Sequence, residues 1–393
     1  MIKLNKSCTM NCHIYCLQRC LSIPKQNSKL PRPFSMATTL FDIHPAIIQT
    51  QILPRLDGPS LLSTATTSKY FYQLCAHEDL WSHICKSIWP SITDPRLHEI
   101  ISTFPAGHRS FFQDSFPALV ADIYNQDSLH LSRSSHPWPS QLISAVDIRY
   151  QDEIIYSRLE FTDTSDEFLS SVLRITLNND LKSKPGPGIL GSIDLKVDEF
   201  AGADEATFSH LEESLSLNWI LIDPTRKRAG NLSSIKPIST RQGWITNQTY
   251  LVYAIVLPGC DPNKVVQCRI QVVLAVAAGG VGLHVKEVML ELLDLDFRRL
   301  KGRDFLVISQ GALSEEHNVR RKMVTSEESR CHYREFKRMV INSISDMRGK
   351  IQSSNDELQS NIVITLCHSI LQRSFNLLKV QILCIFNYSS KNI

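Results

Sequence analysis

Four cysteines open the chain at a constant interval: Cys8, Cys12, Cys16 and Cys20. Thiolates are good zinc ligands, so the spacing first raises metal chemistry. On a helix, residues four apart stack along one face at intervals of about 6 Å. Tetrahedral zinc wants four sulfurs about 2.3 Å from one point, usually from two knuckles of closely spaced pairs. A straight ladder supplies two at most, so no metal site is expected. Cys260 and Cys268 likewise have no second pair to complete a zinc site and read as incidental or buried thiols.

The run GPGILG, Gly186 to Gly191, carries the letters of the dinucleotide fingerprint. That fingerprint must follow a strand and open a helix whose N-terminus faces the pyrophosphate. Here the strand pattern SIDLKVDEF follows, and Pro187 stiffens the loop, so a glycine-proline hairpin loop is expected instead. The histidines are dispersed singly; His210 and His284 sit near strand patterns without a cysteine or histidine at ligand spacing. No G-x-S-x-G, H-E-x-x-H or Walker loop occurs. No catalytic residue, metal or cofactor is therefore assigned. Three aromatic residues beside or within strand patterns, Trp219, Trp244 and Tyr250, are the ligand-binding candidates. Exposed, they would stack on a sugar or grip a peptide; buried, they fill a core.

These residues sit in a chain of 393, long enough for two or three domains, and 43% hydrophobic content is ordinary for a globular protein. A net charge of +3 argues neither for nor against nucleic acid. Eleven scattered cysteines, an odd number, read as reduced thiols in cytoplasm or nucleus. No run of about 20 uncharged apolar residues is present, so no conventional membrane span is expected. The nearest stretch, Asn361 to Phe386, is interrupted by Arg373 and Lys379 and reads as an amphipathic or partner-packed helix. Residues 1–35 contain no Asp or Glu, and Met36 opens MATTLFDIHP in the manner of a natural start. This basic extension is expected to be disordered. Translated upstream sequence is the first reading of it, a targeting peptide the second and a metal site the last.

Three short helical patterns occupy Asp42 to about Trp89. Helix 1 starts at Pro45 and carries Ile48, Ile52 and Leu56 at i, i+4, i+8, widened by Ile47 and Leu53. DGP at 57–59 signals a turn, and Ser60 can cap the second helix through Leu61 and Leu62. Phe71, Leu74, Leu80 and Trp81 give the third its apolar body. A further helix follows, with Asp94 as cap, Pro95 at its first position, and Leu97, Ile100, Ile101 and Phe104 as its stripe. From about Gln141 the period changes to two. SAVDIRYQDEIIYSRLEF, SVLRITLN, LSLNWILID, TYLVYAIVLP, the long run from Val265 to Phe297, and DFLVISQ all read as strands of an antiparallel sandwich. VAAGGVGLHV looks like the tip of a long hairpin, with Gly279 and Gly280 in the turn. Past Leu313, Arg320, Arg321, Lys322 and Arg330 interleave with Glu315, Glu327 and Glu328. That mixture reads as a solvated helix face, mobile or isolated, and nucleic acid is not an expected partner.

The helical patch of about 45 residues is too small to hide its own apolar surface. A helical partner covering the surplus would recover about 25 cal/mol per Å² of apolar area buried. The segment His44–Trp81 resembles an F-box, the module that docks on the Skp-type adaptor of cullin–RING ubiquitin ligases. The match runs through Pro45, Ile48, Ile52, Leu53, Arg55 and Leu56, then Ser60–Leu61, Thr67–Phe71, Leu74 and Asp79–Trp81. TDPRL, ISTFPAGHRSFFQDSFP and WILIDPTRKRAGNLSS are similar to a family of plant F-box proteins with a β-rich C-terminal region. That likeness covers approximately 40–312. It departs at His44, where the family has leucine, and at Pro54, inside the last turn of helix 1.

The residue patterns and the resemblance together point to an α+β chain. A basic extension (1–35) precedes a three-helix F-box (40–90) and a helical, aromatic linker (91–140). A β-sandwich-like domain (141–313) and a charged helical or disordered tail (314–393) follow. Pro45, Ile48, Ile52, Leu53, Leu56 and Leu61 would bind the adaptor, and Phe71, Leu74 and Trp81 would form the F-box core. The protein would be a non-catalytic substrate receptor for an unidentified protein target. Two other readings remain open: a lectin-like β domain using Trp219, Trp244 and Tyr250, and a non-ligase scaffold or transcriptional partner using the basic tail.

Overall fold

The computed structural model describes residues 43–121, 137–178, 189–191, 193–196, 205–243, 248–261, 264–276, 281–314 and 319–353. The chain divides into two compact units, Met1–Gln51 and Ile52–Ile393. The cysteine ladder, Gly186–Gly188, Trp244, Gly279–Gly280 and the apolar stretch after Asn361 lie outside the described residues.

The first helix is short and irregular. A single α-helical turn, α1 (Pro45–Ile47), gives way to a π-helical turn over Ile48–Ile52 and a 3-10 turn over Leu53–Arg55. Proline carries no N–H and crowds the carbonyl four residues back, so regular α bonding cannot run through Pro54. Asp57, not Ser60, caps α2 (Gly58–Ala65): its Oδ1 accepts from Ser60 N at 2.9 Å. The helix starts two residues earlier than Ser60, which leaves that amide as the orphan donor to be satisfied. Ser68 caps α3 (Lys69–Leu74), accepting from Phe71 N at 3.2 Å. In α4 (Glu78–Ile88), Glu78 and Asp79 sit in the first turn and Lys86 in the last, each sign favourable to the helix dipole. Asp94 caps α5 (Pro95–Ser102), and α6 (Gly107–Ser115) completes the helical region.

Aromatic packing holds these helices together. Trp81 and Phe112 rings lie 5.3 Å apart, and Trp89 meets Phe111 edge-on at 5.7 Å. Gly58 is there because of Phe112: a Cβ on it would stand 2.0 Å from that ring.

In the remainder, β1 (Ala118–Ala121), β2 (Gln141–Tyr150), β3 (Glu153–Asp163), α7 (Asp166–Ser170), β4 (Ile175–Asn178), β5 (Ile189–Leu190) and β6 (Ile193–Lys196) come first. Then follow α8 (Glu205–Ser214), β7 (Leu215–Asp223), β8 (Arg228–Asn231), β9 (Ser239–Gln242), β10 (Gln248–Pro258), β11 (Val265–Val276) and β12 (Val281–Leu293). The last elements are α9 (Gly302–Leu313), β13 (Val319–Lys322) and α10 (Ser326–Ser353). One sheet runs β13-β1-β8-β7-β2-β3-β5; the other runs β4-β12-β11-β10-β9, with β6 also on β12. Pairing is antiparallel except where β1 meets β8. Val146 and Trp219 of the first sheet share one core with Tyr253, Ile270 and Leu290 of the second, and with Phe305 and Leu306 of α9. The fold is α+β: a helical N-terminal region followed by two β-sheets.

Four local expectations change. DFLVISQ is helical, within α9, buried almost all round and started by Asp304, whose Oδ2 accepts from Lys301 N at 3.1 Å. Within GPGILG, Ile189–Leu190 form a strand rather than loop: β5 joins β3 in the first sheet, whereas β6 joins β12 in the second. β1 and β13 build a sheet edge from segments that read as linker and tail. Finally, α10 is not isolated. Its Phe336 and Val340 pack with Ala121, Val256 and Val265.

Candidate functional site

The candidate docking segment starts with His44, whose Nδ1 accepts from Ala46 N at 3.3 Å and caps α1. Thr50 Oγ1 donates to Ala46 O at 2.8 Å. Along the segment the apolar residues separate into two groups. Ile48, Leu53 and Leu61 are fully or almost fully buried. Pro45 is exposed, Ile47 is 50% exposed, and Ile52, Leu56 and Leu62 are half-buried. Of the six residues expected to bind the adaptor, then, three are interior and three reach the surface.

Behind them, Phe71, Leu74 and Trp81 are buried. The Trp81 indole N–H donates to Cys75 O at 2.7 Å, which satisfies both groups in the interior. A tie that sequence reading missed joins α4 to α6. Glu78 accepts from the His108 backbone N–H at 3.0 Å and also pairs with the His108 ring. Burial holds His108 below the ordinary imidazole range, against the pull of Glu78 in the other direction. Gly107, at φ +52°, lets the chain pass Glu78, whose carboxylate would clash with a Cβ there.

The F-box-like family model matches residues 45–87, the stretch just described. F-box protein At2g27310 of Arabidopsis thaliana is 40% identical over 309 residues, covering 76% of this chain and 86% of its own length. F-box protein At3g44326 of the same plant is 37% identical, covering 70% and 74%, and probable F-box protein At2g36090 is 34% identical, covering 80% and 91%. The chain is a plant F-box protein. No solved structure matches it. In this F-box protein, residues 45–87 are the module that F-box proteins use to join an adaptor, and the likeness to its relatives extends well beyond that module.

The other candidate residues fare differently. Trp219 offers no face to a ligand: it is fully buried, and its indole N–H donates to Ser144 Oγ at 3.1 Å. Strand alternation in β7 points it between the sheets. Tyr250 is half-buried, donates to Gln248 Oε1 at 3.2 Å and lies beneath Arg241 at 5.4 Å. Cys268 is buried, and desolvation pushes its thiol up to about 12, so it is inert. Cys260 is exposed and contacts Asp304 instead. Among the described residues no group of three metal-ligating side chains occurs, and no helix is long and apolar enough to cross a membrane. In the basic stretch, Arg321 pairs with Asp114, Lys322 with Glu328, Arg330 with Glu212 and Arg334 with Glu327.

Proposed function

We propose that this F-box protein is the substrate-recognition subunit of an SCF-type ubiquitin ligase in the cytoplasm or nucleus. It docks on a Skp-type adaptor through residues 45–62 and presents a protein target through the β-rich region. The observation that carries this reading is the apolar surface left along the F-box segment. Pro45 and Ile47 are exposed and Ile52, Leu56 and Leu62 are half-buried, whereas Ile48, Leu53 and Leu61 are buried. We assign the first set to the adaptor and the second to the shape of the module. An interface of about 1,600 Å² suffices for a stable complex, with such side chains at its centre. The protein itself breaks no bond; it raises the target's effective concentration beside the ubiquitin-charged enzyme.

The test is capture of a plant Skp-type adaptor by wild type, Ile52→Asp and Leu56→Asp. Both positions are half-buried, so a charge there meets water in the free protein and a desolvated interface in the complex. Wild type should retain adaptor, and each variant should lose most of it while keeping its circular dichroism. Equal capture by all three would remove the proposed contact.

A further inference from the structure

Far along the chain from the F-box, two paired stretches and the turn before one of them carry exposed apolar and basic side chains. Residues 171–173 run beside residues 300–302: Leu173 N donates to Leu300 O at 2.8 Å, Gly302 N donates to Ser171 O at 3.0 Å, and Val172 bridges Lys301. Arg303, next in line, holds its guanidinium 5.3 Å from the centroid of the Trp138 ring. Val172 is 54% exposed, Trp138 36% and, at the tip of the turn feeding this run, Phe297 53%. Arg298, Arg299, Lys301 and Arg303 are all exposed.

The turn itself is over-determined. Asp294 Oδ1 accepts from Asp296 N at 2.9 Å and from Arg298 N at 2.8 Å, Asp294 N donates to Arg298 O at 3.0 Å, and Phe297 N donates to Asp294 O at 3.1 Å. This clamp holds Phe297 at φ +55°, a conformation that bulky side chains rarely adopt and glycine adopts freely. Neither backbone preference nor burial accounts for phenylalanine at this position. A strained residue that displays an apolar ring to water, followed in the chain by Arg298 and Arg299, is an arrangement suited to binding.

We propose that this patch is where the receptor holds its target, and that it takes an acidic, extended peptide segment carrying apolar side chains. The proposal rests on the receptor role inferred above and names the substrate class for it. Arg298, Lys301 and Arg303 meet the carboxylates of the segment. Arg299 contributes less, because its Nε already serves Glu291 at 2.6 Å. Phe297 and Val172 take the apolar side chains, and Trp138, stiffened by Arg303, closes one side. The carboxylate of Asp296 beside the ring, and the aliphatic Val172, suit peptide side chains better than a stacked base with its phosphates.

The test uses the full chain with its adaptor and short fluorescein-labelled peptides. One alternates glutamate and leucine, a second lysine and leucine, a third glutamate and serine; an oligothymidine of similar length is the fourth probe. The glutamate–leucine peptide should bind best, more weakly as salt rises. Phe297→Gly keeps the turn and deletes the ring; Arg303→Glu reverses a charge. Each should weaken binding about tenfold or more, with adaptor capture unchanged. Equal binding of the lysine–leucine peptide, no binding of any peptide, or no effect of either variant overturns the proposal, and so does tighter binding of the oligothymidine. Adaptor capture separates the two ideas. If wild type holds the adaptor but no peptide, this patch is wrong and the receptor role stands. If wild type holds no adaptor, the receptor role falls, and the patch loses its claim to a ligase target.

Discussion

Asp147 gives the sharpest quantitative prediction. It lies on β2, fully buried, and accepts from Ser91 N at 3.0 Å, Ser91 Oγ at 2.5 Å and Ser157 Oγ at 2.6 Å. Desolvation dominates these bonds, and the carboxyl is pushed up to about 6 from 3.8. A raised carboxyl pKa means that the folded state binds the proton more tightly than the unfolded state. The stability from this group is therefore fully present below about pH 4 and is lost as pH rises through about 6. The rise from 3.8 to about 6 corresponds to about 3 kcal/mol over the whole window, of which about 1.4 kcal/mol falls between about pH 5 and about pH 7.5. Asp147→Asn keeps the shape and an accepting oxygen but cannot titrate, and the Ser91 hydroxyl can turn to accept from the new amide. Urea unfolding of both proteins across that range isolates the group, because every other titration is common to both and cancels. The stability of wild type relative to the variant should fall by about 1.4 kcal/mol from the acid to the alkaline end. A difference that stays constant, or grows with pH, would mean that the folded protein does not hold the Asp147 proton more tightly than the unfolded chain.

Two further changes test the packing. Gly58→Ala drives a methyl group into the Phe112 ring and should cost about 1–3 kcal/mol, read as a lower melting temperature; pairing it with Phe112→Leu should recover part of the loss. Arg321→Ala strips Asp114 of one of its two guanidinium partners and frees the carbonyls of Ala229 and Leu313, which Arg321 bonds at 3.0 Å. Because Arg228 remains on Asp114 at 2.9 Å, the expected cost is about 1–3 kcal/mol, measured by denaturant unfolding. No measurable change would mean that β13 does not anchor the tail.

The family of the chain was legible from the resemblance of Pro45 to Trp81 to the F-box pattern, but the division of labour among its apolar residues was not. A stripe at i, i+4, i+8 treats Ile48, Ile52 and Leu56 as one face. The π turn before Pro54 and the 3-10 turn across it change the residues per turn, so the stripe slips. Ile48 and Leu53 then fall inside, and Ile52 and Leu56 fall at the boundary. Strand identity followed alternation wherever one face met the core. It failed at DFLVISQ, because a short apolar run has no periodicity to separate a buried helix from a buried strand. It failed again at Val319–Lys322, which is polar by letter. Arg321 belongs in a sheet only because Asp114, some two hundred residues earlier, waits for it, and no local pattern carries that information.

That long-range tie is one of several, among the described residues, by which the helical region holds the first sheet. Asp147 on β2 takes both donors of Ser91, just beyond α4. Arg149, two residues on, donates to Ser87 O at 2.8 Å and Ile88 O at 2.9 Å, covering the bare carbonyls at the C-terminus of α4. Asp114, at the end of α6, holds Arg228, Arg321 and the amide of Ala229 at 3.1 Å. In the Asp147 and Asp114 ties, breaking one member leaves a buried carboxylate short of a partner, so hinge motion at this junction is costly. For a substrate receptor the consequence is geometric. A β-rich region hung on a flexible linker would sweep a wide volume, and its effective concentration would be set by linker length. On the receptor role proposed above, a region pinned at several points would hold a bound target at one distance and angle from α4 and α6, and would confine the lysines that can be reached to one zone of the target's surface.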